Sequence, residues 1–287
     1  MPAYALKEEL YEPEIPFWQP KPLPTMYDLP SEDPEEPGLP DEFHYHQPQL
    51  LRETFCPPNY PADKIYVASD LNLYYDSQHT HWYKRPDWFA VLGVPSSYGK
   101  QHDMRYNYVV WDEKVIPFIV VELLSESTKK EDLGKTLRDV KEPPTKWEVY
   151  EQILKIPYYV IFSRESDEWQ VFQLRGNRYQ QLSIKDERLW LPKIRLGLGI
   201  WAGTFNGFDS RWLRWYDKNG WIPTPVEIEQ KRANAETQRA ETAFENGIGQ
   251  GEQNKAIETA RKMLAKGYSS TEIIELTGLS STDLTTL

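Results

Sequence analysis

Cysteine is almost missing from this chain of 287 residues: Cys56 is the only one. That excludes an internal disulfide framework and a cysteine-based metal knuckle, and it fits a reducing compartment, the cytoplasm. Long hydrophobic runs are missing too. No apolar stretch approaches the ~18–20 residues of a membrane span, so no membrane partner is expected. The opening MPAYALKEEL lacks the basic start and apolar run of a secretory signal. Phosphate loops are also lacking: neither G-x-x-x-x-G-K-[ST] nor G-x-G-x-x-G occurs, and GLGIWAG and GIGQG read as glycine turns. Nucleotide-driven chemistry is therefore unsupported.

Aromatic residues, by contrast, are abundant at 14 %, with 11 Trp and 18 Tyr, enough for a sizeable packed core. The net charge of −11 argues at first against a nucleic-acid partner, but it is unevenly spread. Residues 1–42 hold 11 Asp and Glu against two Lys, a local charge of −9, which leaves only −2 for the rest. The same segment holds ten of the 23 prolines. So acidic and proline-rich a stretch forms no regular hydrogen-bonded structure alone and reads as an arm. Phe17, Trp18 and Tyr27 are where part of it would dock on the body.

The expected organisation is an arm over 1–42, a folded domain over 43–222, a polar coiled-coil-like helix over 223–250 and a small helical tail over 251–287. HQPQLLRETF reads as a short helix. DKIYVASDLNLYYD, PDWFAVLGVP, RYNYVVWDEK and IPFIVVELL read as four strands by their β-branched and aromatic content. In TKWEVYEQILK, Trp147, Tyr150, Ile153 and Leu154 recur at helical spacing. PYYVIFSR is a fifth strand and WQVFQLRGNRYQQLSI a hairpin turning at Gly176-Asn177. This order predicts an α/β fold, a mixed sheet with a crossover helix. FDSRWLRWYDKNGWIPT is expected to fold back on the sheet. PVEIEQKRANAETQRAETAFENG reads as a solvated helix broken by GIGQG, followed by helices of helix-turn-helix character in which Ser269 and Glu272 form a capping box. That tail lacks a basic recognition face, which favours a role in oligomerisation or protein binding over DNA contact.

One residue is out of place. Glu122 interrupts the apolar run from Ile116 to Leu124, and a glutamate is almost never fully buried unless paired or metal-bound. The plain alternative is that it ends its strand at the surface or meets an arginine. Asp87 stands in a similar place on an earlier strand, and two carboxylates on neighbouring strand ends can hold one Mg²⁺. Such an ion polarises a phosphodiester and acidifies a bound water, and a nearby lysine would ease the repulsion between nucleophile and phosphate.

These residues resemble the Uma family of restriction endonucleases, expanded in cyanobacteria and part of the PD-(D/E)XK nuclease superfamily. The matching pieces are PDWFAV, VVELLSEST, EDLG with Asp132, KWEVY and KIPYYVIF, in the family's order over roughly residues 45–200. The resemblance implies a restriction-endonuclease-like mixed sheet flanked by helices, with Asp87 and Glu122 as ligands of Mg²⁺ or Mn²⁺. The lysine expected two residues after Glu122 is replaced by Leu124, and Lys146, on the following helix with Tyr150 and Ile153 on its face, is the match. Lys135 is the rival. Tyr158-Tyr159 and Ser163-Arg164 depart from the family's E-Y-W and Asp-Pro.

Other residues compete for a role. His79 and His81 form an H-x-H that would ligate metal only with a third partner, or would line the mouth of the site before Asp87. His44 and His46 precede the first helix, where the family often has a histidine. Ser125 and Ser127 follow Glu122 without a base to activate them. The expectation is therefore a metal-dependent DNA endonuclease with Asp87, Glu122 and Lys146 at its centre and His81, Lys135, Tyr150 and Ser125 as accessories. Lys84, Arg85, Lys129, Lys130 and Arg138 are the expected contacts to the DNA backbone. The arm would mimic DNA and shield the groove. The alternative is a non-catalytic scaffold whose arm and C-terminal helices recruit a protein partner or a second copy.

Overall fold

The computed structural model describes residues 41–99, 102–125, 132–134, 142–166 and 168–286. Most of the acidic arm, along with Ser127, Lys129, Lys130, Lys135 and Arg138, lies outside them. The described chain forms two units, one taking in residues up to Arg52 and Pro57–Arg214, the other Glu53–Cys56 and Trp215 onward.

The first unit opens with helix α1 (Phe43–Thr54), whose first turn is capped by Asp41 Oδ1 accepting from His44 N at 3.1 Å. There follow β1 (Ile65–Ala68), β2 (Leu73–Tyr74), β3 (Tyr83–Lys84), β4 (Trp88–Leu92), β5 (Tyr108–Val109), the helical turn α2 (Val110–Glu113) and β6 (Ile119–Leu123). Helix α3 starts at Lys146–Glu148 and widens into a π-helical turn over Val149–Ile153. Then come β7 (Tyr158–Phe162), β8 (Trp169–Arg175) and β9 (Arg178–Gln181). The main sheet runs β1-β4-β6-β7-β8-β9, antiparallel except for the parallel β6–β7 pair. A parallel pair requires a crossover connection, and α3 lies on it. The expected mixed sheet with a crossover helix is what forms. A small sheet of order β3-β2-β5 lies apart in hydrogen bonding.

Three readings of the sequence are corrected, the first being DKIYVASDLNLYYD, which forms not one strand but β1 and β2 in separate sheets. RYNYVVWDEK is strand only at Tyr108–Val109, because Lys114 turns the chain at φ 59° and Arg105 draws in Glu113, its Nε donating to Oε1 at 2.6 Å. GLGIWAG is no glycine turn. It lies in β11 (Leu196–Phe205), part of a sheet β10-β11-β12-β13 with β10 (Arg188–Leu191), β12 (Phe208–Asp217) and β13 (Gly220–Trp221). Gly197 pairs with Trp190, and Gly203 leaves room for the Trp201 indole, so large rings cover what the glycines leave bare.

In the second unit, α4 (Pro225–Ala265), α5 (Ser270–Thr277) and α6 (Ser281–Thr285) each begin with a capping box, at Thr224/Glu227, Ser269/Glu272 and Ser280/Asp283. Ala260, Ile273 and Leu279 form a small buried cluster joined by Met263 and Leu284. GIGQG does not break the helix: α4 runs through Gly247, Gly249 and Gly251. Each interior glycine costs about 1 kcal/mol relative to alanine, but the flanking Ala, Glu, Gln and Lys are strong formers and propagation is cooperative.

Candidate active site

All five residues of β6 are buried, which is why the strand reads as a continuous apolar run. Side chains alternate across a strand, so Val120 and Glu122 share one face. Val120 belongs there to an apolar cluster with Phe89, Tyr150, Tyr159 and Ile161, placing Glu122 on the face that α3 covers. It is 0 % exposed and does not end the strand at the surface. The antiparallel register Trp88↔Val121, continued by one residue, sets Asp87 opposite Glu122. The two strands hold each other's carboxylates: Asp87 N donates to Glu122 Oε2 at 3.3 Å, and Leu123 N donates to Asp87 Oδ2 at 2.6 Å.

Helix α3 supplies the cation. Thr145 caps it, its hydroxyl accepting from Glu148 N, so Lys146 is the first helical residue. Lys146 Nζ stands 3.0 Å from Glu122 Oε2 and 3.0 Å from Asp132 Oδ1. One turn on, Tyr150 OH donates to Glu122 Oε1 at 2.8 Å, so both oxygens of Glu122 are engaged. Asp132 is also fully buried; its contact to Lys146 is an ion pair outside hydrogen-bond geometry, and Oδ2 has no hydrogen-bond partner among the described residues.

Among the described residues Glu122 and Asp132 thus share the Lys146 ammonium, Asp87 feels it at longer range, and the electrostatics follow from that arrangement. Burial pushes the Glu122 carboxyl well above its usual range; Lys146 pulls it back, while Asp87 and Asp132 push it further up. Burial likewise raises Asp87, against Lys146 and the Leu123 N–H. Burial opposes the charge on Lys146, but Asp132, Glu122 and Asp87 outweigh it and hold the ammonium firmly protonated. Burial and the neighbouring Glu122 raise Tyr150 as well, keeping its phenol a neutral donor. Solvent reaches this cluster beside Asp87, which is partly exposed, and at the Lys146 side chain, which is 14 % exposed.

His44 completes the setting. Its Nδ1 lies 2.8 Å from Asp41 Oδ1 and its Nε2 lies 3.3 Å from the Leu123 carbonyl. Both ring nitrogens face acceptors, a pairing satisfied in full only by the doubly protonated ring. Burial works against that charge, yet Asp41 and Asp87 outweigh it and raise the imidazole above its ordinary range. His44 lies within α1 rather than before it, as does His46, whose ring faces Asn206 at 3.2 Å.

The structure brings together Asp87, Glu122, Lys146 and Tyr150. Asp132 and His44 lie with them. The sequence marks Asp132 inside the EDLG match and His44 only as a histidine near the first helix, and places neither at the centre of the site. His81 is exposed, and Ser125 is half-buried just beyond β6. His79 is held by Asp76 at 2.7 Å and stacked on Trp82 at 4.0 Å. Lys84, expected at the DNA backbone, is only 7 % exposed and offers no free surface cation. Arg85 is half-exposed and donates to Asn72 Oδ1 at 3.0 Å. Among the described residues no group of three or more His, Cys, Asp or Glu is arranged to hold a metal. The donor set nonetheless suits a hard divalent ion that binds through one or two carboxylates and keeps its waters. Asp87 and Glu122 are such a pair, and Asp132, whose Oδ2 has no hydrogen-bond partner among the described residues, adds a third buried carboxyl close by.

Over residues 19–203 the chain matches the model of the Uma2 family, described as "Putative restriction endonuclease". The match spans more than half of the chain, which belongs to this family. Membership supports nuclease function in general and bears out the resemblance carried by PDWFAV, VVELLSEST and KWEVY. Among solved structures, one from Anabaena variabilis, described as "a putative nuclease belonging to DUF820", is similar at 9 % identity and a TM-score of 0.31. The similarity covers 47 % of this chain and 63 % of that one, so the chain spans less than two thirds of that neighbour. No curated protein matches the chain.

Proposed function

We propose that this chain is a metal-dependent DNA endonuclease that hydrolyses phosphodiester bonds, with Asp87 and Glu122 as the ligands of Mg²⁺ or Mn²⁺. The observation that carries this reading is the fully buried Glu122, held opposite Asp87 and sharing the Lys146 ammonium with Asp132. Buried carboxylates drawn together are costly, and a divalent cation bound among them would offset that cost. Such an ion, when bound, supplies a polarised phosphate and an acidified water. The protein's own residues do the rest. Tyr150 and the Leu123 N–H fix the two carboxylates, and Lys146 offers its charge and N–H donors to the attacking water and the phosphoryl oxygens.

The test is nicking of supercoiled plasmid with Mg²⁺ or Mn²⁺ by wild type, Glu122→Gln and Lys146→Ala. Nicking that needs the metal and is sharply reduced in both variants supports the reading. A wild type that cuts none of several DNA substrates, linear, supercoiled and single-stranded, overturns it and favours the scaffold.

A further inference from the structure

The short turn Asp132–Gly134 is held from two sides. Tyr159 OH donates to the Asp132 carbonyl at 3.0 Å. Gly134 adopts φ +67°, and a β-carbon there would stand 3.0 Å from the Trp147 indole, so the turn and α3 meet at a spot where any larger residue would be strained. The indole is itself wedged edge-on against Tyr159, Phe172 and Tyr179, with ring centroids 5.7, 4.9 and 5.5 Å away. This fixed turn delivers a single functional group: the fully buried Asp132 carboxylate, with Oδ1 3.0 Å from Lys146 Nζ and Oδ2 unpartnered among the described residues.

We propose that Asp132 is a positioning residue for Lys146, holding the ammonium in the site when Glu122 gives up its share of that charge to a divalent cation. The inference rests on the endonuclease reading and deepens it. Lys146 has two carboxylate anchors at equal distance, and a metal ion needs one of them. A second cation on Glu122 repels the ammonium across a weakly screening interior. Without Asp132, a flexible four-carbon side chain that already touches solvent would be held less firmly and could swing out. Asp132 removes that exit, because its position depends on Tyr159 and Trp147 and not on Glu122. The water and phosphate then meet the ammonium in one fixed place whether or not the metal is bound.

The experiment compares Asp132→Asn, Lys146→Ala, the double variant and Tyr159→Phe, which loosens the turn without changing any charge. Plasmid cleavage gives kcat and KM, and titration calorimetry gives Mn²⁺ affinity. Asp132→Asn is expected to lower kcat by about 100-fold, the usual scale for a misplaced catalytic group, with KM and Mn²⁺ affinity within about twofold of wild type. On the Lys146→Ala background, neither Asp132→Asn nor Tyr159→Phe slows the enzyme further. Independent losses in the double variant, or a fall in Mn²⁺ affinity that accounts for the lost rate, would overturn the inference and leave the endonuclease reading standing. A wild type that does not cut overturns that reading instead, and the anchor is then judged by urea unfolding on a Glu122→Gln background. There Asp132→Asn and Lys146→Met losses that fail to add uphold the anchor, and simple additivity ends it.

Discussion

Lys146→Met is the change that most directly probes the buried charges. It removes the ammonium shared by Glu122 and Asp132, both fully buried, and leaves a side chain of similar reach. Breaking a buried ion pair by removing one partner costs about 3–5 kcal/mol. Protonation limits that cost. Burial already holds Glu122 well above its ordinary value of 4.5, and without Lys146 its main counterweight is gone, so the folded variant holds it higher still. A carboxyl raised in the folded state contributes stability below its unfolded pKa and loses it as pH rises toward the folded pKa. The variant therefore falls behind wild type as pH rises, by about 1.4 kcal/mol for each unit by which losing the ammonium raises the folded pKa further. Urea unfolding followed by tryptophan fluorescence between pH 5 and 8 should therefore show the variant close to wild type at the acid end and falling away steadily above it. A stability loss that is flat with pH, or smaller than about 1 kcal/mol at pH 7.5, would refute the claim that these carboxylates depend on Lys146. Millimolar Mg²⁺ should restore part of the loss, since an ion that binds only the folded state stabilises it by mass action.

Two further outcomes can be checked. His44 is raised above 6.5 by Asp41 and Asp87 against the effect of burial, so its contribution to stability is present below that pH and fades as pH rises through the folded value. His44→Asn should therefore be most destabilising at about pH 5.5–6 and less so at about pH 8.5; an equal loss at both would mean that the ring is neutral throughout. A β-carbon added at Gly247, Gly249 or Gly251 would meet no atom within 4 Å, so alanine fits at each. Replacing all three should increase far-ultraviolet helicity and stabilise α4 by up to about 1 kcal/mol per site, whereas a loop at GIGQG would show no gain in helicity.

The principal sheet was legible because its strands carry the signal that survives in a single sequence. PDWFAV, IPFIVVELL and PYYVIF are long, apolar and rich in β-branched and aromatic residues, and all three became buried strands of one sheet. The second sheet was not legible. Its longest strands carry Gly197, Gly199 and Gly203 in one and Asp209, Ser210 and Arg211 in the other, residues that read locally as turn or surface. What makes them strands is pairing along the ladder and cover from Trp190 and Trp201, which appear only once the strands are set side by side. The same limit applies to the site. Glu122 and Asp87 stand out as charges in or beside apolar runs, whereas Asp132 lies in a polar stretch where a carboxylate is unremarkable. His44 reaches the Leu123 carbonyl across 79 positions of sequence.

The helix that delivers Lys146 shows where periodicity succeeds and then fails within two turns. Spacing of i and i+4 puts Lys146 and Tyr150 on one face, and both reach Glu122, one on each carboxylate oxygen. Extending the same period to i+7 places Ile153 on that face, yet it is 45 % exposed and Leu154 is buried in its stead. The π-helical turn over Val149–Ile153 explains the slip. One extra residue per turn delays the face by about one position, so the apolar contact passes from i+7 to i+8. The widening has a second consequence at Glu151, which is turned inward to accept from Tyr179 N at 2.7 Å and Arg178 at 3.1 Å. A buried carboxylate there ties the end of α3 to the β8–β9 hairpin. The start of α3 is fixed by the Thr145 capping box and its far end by Glu151, so the segment between them presents Lys146 and Tyr150 to Glu122 from a support held at both ends.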